Sequence, residues 1–152
     1  MLLIEDTVSI QEIDDKNFDL VTRWFGQTQV HKINLLCDVH NGLITTNPGD
    51  SIQIKIVTNL TDDTKNEEIS YTDLKNYLKG PSLADSFSYI MHGRIYDIKD
   101  ADINLTASSR TRSIYISHGG LLMRIQYDES KIKLGPLKIG DTLFTCMRKI
   151  TL

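Results

Sequence analysis

The sequence predicts an all-β protein: an eight-stranded antiparallel barrel with a long polar loop and one short helix. Three observations carry that expectation. Apolar residues recur at every second position through most of the chain, the mark of half-buried strands. Clusters of Asn, Gly, Pro and Asp interrupt the alternation where hairpin turns need them. The 152 residues are 40% hydrophobic and 24% charged, an ordinary globular balance without disordered bias. A chain of this length buries roughly 68–70% of its unfolded surface, so one domain over 1–152 can build a core without disulfides or metal. Closure into a barrel would leave no exposed sheet edge.

Val8, Ile10 and Ile13 mark a short first strand whose phase slips at Glu12. Residues 20–25 form a second, expected to stop at the turn residue Gly26. In the third, Ile33, Leu35, Cys37 and Val39 share one face and Asn34, Asp38 and His40 the other. Asn41-Gly42 and Asn47-Pro48-Gly49-Asp50 offer turns before Ile52, Ile54 and Ile56, which alternate with Gln53 and Lys55. Residues 59–82 break the pattern with five acids and three lysines, a loop expected to be mobile alone and ordered by a partner. Within it, Ser70-Tyr71-Thr72-Asp73 resembles a capping box, and Leu74, Tyr77 and Leu78 follow at helical spacing up to Gly80-Pro81. The strand over 87–98 is apolar on both faces, so it should be central or strongly curved, with Gly93 marking a bulge or close backbone approach. Residues 100–112 read as a polar hairpin loop, in which Ile103 and Leu105 form short pairing positions. Strands over 113–117 and 121–127 flank His118-Gly119-Gly120, a tight hairpin. Gly135-Pro136 and Gly140-Asp141 punctuate the approach to a last strand over 143–150. Gly93, Gly119 and Gly120 are expected at positions of positive φ or close packing.

Seventeen Lys and Arg against twenty Asp and Glu leave a net charge of -3, too little positive charge for a dedicated duplex-DNA binder. The charge is uneven: residues 1–15 hold five acids and no base, and residues 131–152 five bases and one acid. No apolar run approaches the roughly 20 residues of a membrane span, and Met1-Leu2-Leu3-Ile4 gives way to Glu5-Asp6 too early for a signal peptide. The expectation is a soluble, intracellular chain with no membrane partner. Cys37 and Cys146 stand 109 positions apart with no C-x-x-C spacing, so they read as two buried thiols in a reducing compartment. Neither a zinc site nor any other cofactor is expected.

Catalytic patterns are thin. The pairs Asp14-Asp15, Asp62-Asp63 and Glu67-Glu68 fall in turns or loops, where charge is solvated. His40 and His92 could act as bases, but no nucleophile elbow frames Ser88 or Ser117. Ser108-Ser109-Arg110-Thr111-Arg112 reads as a solvated turn, and no Gly-rich phosphate loop is present. Enzymatic activity is not expected. Binding fits better. An OB-like barrel presents aromatic and basic groups to single strands, and Lys16, Arg23, Trp24, His31 and Lys32 lie on or beside the second and third strands. Alternation with Val21 and Phe25 leaves open whether Trp24 faces the core or a partner. The run Leu121-Leu122-Met123-Arg124 suits a protein partner, because Leu122 and Arg124 cannot share a core with Leu121 and Met123. A free-standing OB-fold single-stranded nucleic-acid-binding protein is the alternative.

Ser82-Leu83-Ala84-Asp85, Tyr89-Ile90-Met91-His92-Gly93-Arg94-Ile95-Tyr96 and Ser117-His118-Gly119-Gly120-Leu121-Leu122-Met123-Arg124 resemble the shared eighth subunit of the eukaryotic nuclear RNA polymerases. The resemblance is firm over 82–127 and looser elsewhere. It implies a non-catalytic component common to polymerases I, II and III, in the nucleus including the nucleolus. It further implies an OB-like barrel docked on the largest polymerase subunit, near its pore and funnel, among other polymerase subunits. The interface candidates on the matching positions are Tyr89, Met91, Gly93, Tyr96, Gly119, Gly120, Leu121, Leu122, Met123 and Arg124. The family is also associated with weak, non-specific single-stranded DNA contact over the region corresponding to 14–36, where Lys16, Arg23, Trp24 and Lys32 are the candidates. His92 and His118 stand where the family usually carries aromatics, and the connection from Tyr96 to Gly119 is a few residues longer. These departures bear on packing more than on fold.

Overall fold

The computed structural model describes residues 2–15, 19–60, 86–102 and 110–150. Period-two alternation becomes eight strands: β1 (Leu2–Asp14), β2 (Val21–Thr28), β3 (Asn34–His40), β4 (Ser51–Val57), β5 (Tyr89–Asp102), β6 (Arg110–His118), β7 (Leu121–Asp128) and β8 (Thr142–Ile150). They close in the order β1-β2-β3-β7-β6-β5-β8-β4, with β4 returning to β1, and each neighbouring pair is antiparallel.

The inner face holds the main core. Val8, Trp24, Leu35, Cys37, Ile54, Ile116 and Met147 are among its fully buried side chains, contributed by strands from every side of the barrel. A smaller cluster lies outside the wall, where Val57, Leu60, Phe144 and Cys146 pack with Phe87 and Ile90. That second cluster explains the apolar residues on both faces of β5, whose His92 ring also lies 4.7 Å from the Phe144 ring. Both cysteines are buried free thiols, as the composition suggested. Burial pushes the Cys146 thiol up to about 11 and the Cys37 thiol higher still, so neither is a nucleophile at neutral pH.

Several sequence expectations change in detail. The first strand is long, running from Leu2, and its phase slip is a β-bulge between Ile10 and Glu12. Gly26 does not end the second strand. It pairs with Ile10 inside β2, where a Cβ would lie 2.7 Å from the Ser9 carbonyl oxygen, so only glycine lets the two backbones approach beside the bulge. Likewise both ends of the polar stretch 100–112 are paired strand: Asp100 and Asp102 lie opposite Arg112 and Arg110. Ile103 and Leu105, the capping box and short helix at 70–79, and nearly all of the 59–82 loop fall outside the described residues.

Asp6 is the feature sequence reading missed. It sits in the inward phase between Ile4 and Val8, yet it is a carboxylate. Its oxygens accept hydrogen bonds from the backbone N–H groups of Thr7 (2.7 Å), Val30 (3.2 Å) and His31 (2.8 Å), and lie 2.8 Å from His31 Nδ1. Burial works to raise its proton affinity, but these donors prevail and hold the carboxyl below its ordinary 3.8. The carboxylate thereby ties the β2–β3 turn to β1.

The β6–β7 hairpin turns on Gly119 and Gly120, with φ of 63° and 103°, the two positive angles a type I′ turn demands. Gly93 serves a different need. A Cβ there would lie 2.6 Å from His118 Cδ2, 2.8 Å from Ile116 Cγ2 and 3.0 Å from the Ser117 carbonyl oxygen. His118 is buried behind it, with Nε2 2.9 Å from Thr145 Oγ1.

Two outcomes follow from this contact. Gly93→Val should destabilise the barrel by about 1–3 kcal/mol through overpacking against β6, read as a lower urea midpoint with the slope kept. Burial drives the His118 proton affinity down from 6.5 to about 4, so the unfolded chain binds that proton more tightly. The stability tied to neutral His118 is complete above pH 6.5 and falls as the pH drops toward 4, by about 3 kcal/mol in all. Urea midpoints across that window should show the slope, and His118→Gln should flatten it.

Candidate functional site

Closure of the barrel leaves the outer face of β2, β3, β7, β6 and β5 as the surface that gathers most of the outward-facing interface candidates. Registers set its rows. Phe25 lies opposite Leu36, Leu36 opposite Arg124, and Arg124 opposite Tyr115. The next row runs from Arg23 to Asp38 on β2 and β3, and from Leu122 through Ser117 to Arg94 on β7, β6 and β5. Tyr96 occupies the bulge of β5 between Ile95 and Asp97, and its ring centroid lies 6.0 Å from that of Tyr115. Lys99 Nζ stands 5.5 Å from the Tyr115 ring centroid.

Phe25, Leu36, Tyr115, Leu122 and Tyr96 belong to neither apolar cluster. Tyr96 is 46% exposed and Leu122 36%. This is a partly wet apolar and aromatic surface studded with arginine, the composition that recurs at the centres of protein interfaces.

Asp38 organises it. Arg23 donates to Asp38 through Nε at 2.7 Å and Nη2 at 3.1 Å, a two-pronged pair that raises the proton affinity of the guanidinium. The same carboxylate accepts the backbone N–H of Leu122 at 3.1 Å. One nearly buried acid therefore ties β2, β3 and the start of β7 together beneath the exposed Leu122.

The interface candidates thus separate by face. Tyr96, Leu122 and Arg124 point outward, Gly119 and Gly120 form the exposed turn, and Leu121 packs at the edge of the core. Tyr89, Met91 and Met123 are core residues; Tyr89 also accepts the His40 backbone N–H at 3.0 Å through its hydroxyl. Gly93 is buried against β6. Period-two alternation turns the first three side chains inward, and a Cβ at Gly93 would have no room.

Among the described residues, the nucleic-acid candidates Arg23, Trp24 and Lys32 do not share one exposed face. Trp24 is fully buried in the barrel, so it cannot offer its face to a base. Arg23 is committed to Asp38, Lys32 lies exposed in the β2–β3 turn at a φ of 57°, and Lys16 is outside the described residues. Phe25, Leu36 and Tyr115 escaped sequence reading; their signal was the outward phase of strands already found.

Asp38→Ala should lower stability by about 1–3 kcal/mol, because the Leu122 N–H and the Arg23 guanidinium both lose their acceptor. Arg23→Ala on top of it should add little, since the pair is already broken; thermal unfolding of the two single variants and the double variant measures the coupling.

Known proteins resemble this chain along nearly its whole length. The family described as RNA polymerase Rpb8 matches residues 5–149. A Caenorhabditis elegans protein named as a probable DNA-directed RNA polymerases I, II, and III subunit RPABC3 is 25% identical over 150 residues, covering 97% of this chain and 96% of its own. An Arabidopsis thaliana protein, DNA-directed RNA polymerases II, IV and V subunit 8B, is 28% identical over 154 residues, covering 99% and 97%. The Saccharomyces cerevisiae RPABC3 subunit is 28% identical over 128 residues, covering 82% and 84%.

Proposed function

Because the chain belongs to the RNA polymerase Rpb8 family, we propose that it is a non-catalytic structural subunit common to the nuclear RNA polymerases I, II and III. It docks on the largest subunit and supports assembly of the enzyme, in the nucleus and the nucleolus. The observation that carries this reading is the match over residues 5–149, which takes in every strand that builds the exposed face. The face itself supports docking: among the described residues, Leu122, Tyr96, Tyr115, Leu36 and Phe25 join neither apolar cluster and keep part of their surface open, and burying them against protein removes apolar surface from water.

Contact with single-stranded DNA, in this reading, is weak and non-specific. Arg23 and Lys32 supply charge there, and the buried Trp24 supplies no stacking. A net charge of -3 suits a subunit whose main partner is protein.

Affinity purification of the tagged full-length chain from cells tests the proposal. The largest subunits of all three polymerases should be recovered with it, and Leu122→Asp should reduce that recovery about tenfold, the effect of a charge placed in a desolvated contact. Absence of the largest subunit from the wild-type preparation would sink the reading.

A further inference from the structure

Arg124 stands at the middle of the exposed face. Its neighbours across the strands are Leu36 on one side and Tyr115 on the other, with Leu122 two residues before it on the same strand and Phe25 beyond Leu36. Tyr96 extends the patch past Tyr115. Apolar and aromatic groups therefore flank Arg124 across the strands and before it on β7, while Gln126, bonded to Ser113, follows it. The Arg124 Nε–H is buried and has no acceptor among the described residues. Leaving such a donor unpaired in a dry setting costs about 1–3 kcal/mol, more for a charged group.

The nearby carboxylates do not supply that acceptor. Asp38 already receives Arg23 and the Leu122 N–H, and Asp97 lies 3.7 Å from Lys99 Nζ. Arg23 with Asp38, and Lys99 with Asp97, cancel in charge, and among the described residues no carboxylate is bonded to the Arg124 Nε–H. Contact with a partner would strip the remaining water from it and make a matching acid worth more than in solution.

Resting on the docking reading above, we infer that Arg124 receives a carboxylate from an acidic segment of the partner, an Asp or Glu set among apolar side chains that cover Leu36, Leu122 and Tyr115. A guanidinium suits this task because its planar donors match a carboxylate in pairs. A phosphate strand fits less well: two aliphatic side chains flank the charge, and the other bases of the face are already engaged or distant.

Recovery of the largest polymerase subunit on the tagged full-length chain, measured for R124M, R124K and L122D, tests the inference. R124M keeps the apolar stem and removes the charge, so recovery should fall about tenfold, while R124K, which keeps the charge and loses the paired donors, should recover an intermediate amount. Matching thermal midpoints would show that the variants are folded. Recovery unchanged in R124M but lost in L122D overturns the carboxylate contact and leaves docking through this face intact. Recovery unchanged in both overturns the docking face together with the inference. Loss of binding to a single-stranded oligonucleotide in R124M, with recovery of the subunit unaffected, would assign Arg124 to nucleic acid and also overturn it.

Discussion

Closure of the sheet is the constraint on which everything else in this protein depends. Once β4 pairs with both β8 and β1, no strand edge is left free, and each strand has one face inside and one outside. The interior of an eight-stranded barrel has room for side chains and little else, so inward positions are mostly apolar, and a polar group there needs hydrogen bonds to hold it. Ile52, Ile54 and Ile56 show the first solution and Asp6 the second, while His118 is bonded through Nε2 to Thr145. Closure also needs curvature, and the bulges at Ile10/Glu12 and Ile95/Asp97 supply it. The bulge in β5 leaves Tyr96 standing on the outer wall.

Two buried carboxylates fix the geometry of the outer wall. Asp6 ties the β2–β3 turn to β1 from one end of the barrel. Asp38 joins β2, β3 and β7 from beneath the exposed Leu122. Both are held by hydrogen bonds from backbone and side chain together, which is why an acid can occupy a position that burial alone would disfavour. A surface braced in this way meets a partner with little ordering cost.

Membership of the Rpb8 family and the composition of this wall point in one direction. The wall carries half-exposed aromatics, leucines and arginines in neighbouring rows, whereas the groups expected to greet a nucleic-acid strand are separated, with Trp24 enclosed in the core. At Arg124 the Nε–H is left without an acceptor among the described residues.

Period-two alternation, written directly in the residue order, determined the strands, their inward faces and the Gly119-Gly120 hairpin, because a pleated strand sends successive side chains to opposite sides. The same pattern marked the slip at Glu12, and the motif around Leu121–Arg124 marked the family. Tertiary structure alone decided what alternation cannot express. Whether Trp24 met solvent or core depended on which side of β2 the barrel closed. Whether Gly26 made a turn or a close contact depended on the bulge across from it in β1. Asp6 and Asp38 acquired their roles from donors 25 and 84 positions away, His31 and Leu122, and no local pattern encodes such a distance. The docking face is likewise a product of register: it takes one or two residues from each of five strands, which only closure makes neighbours.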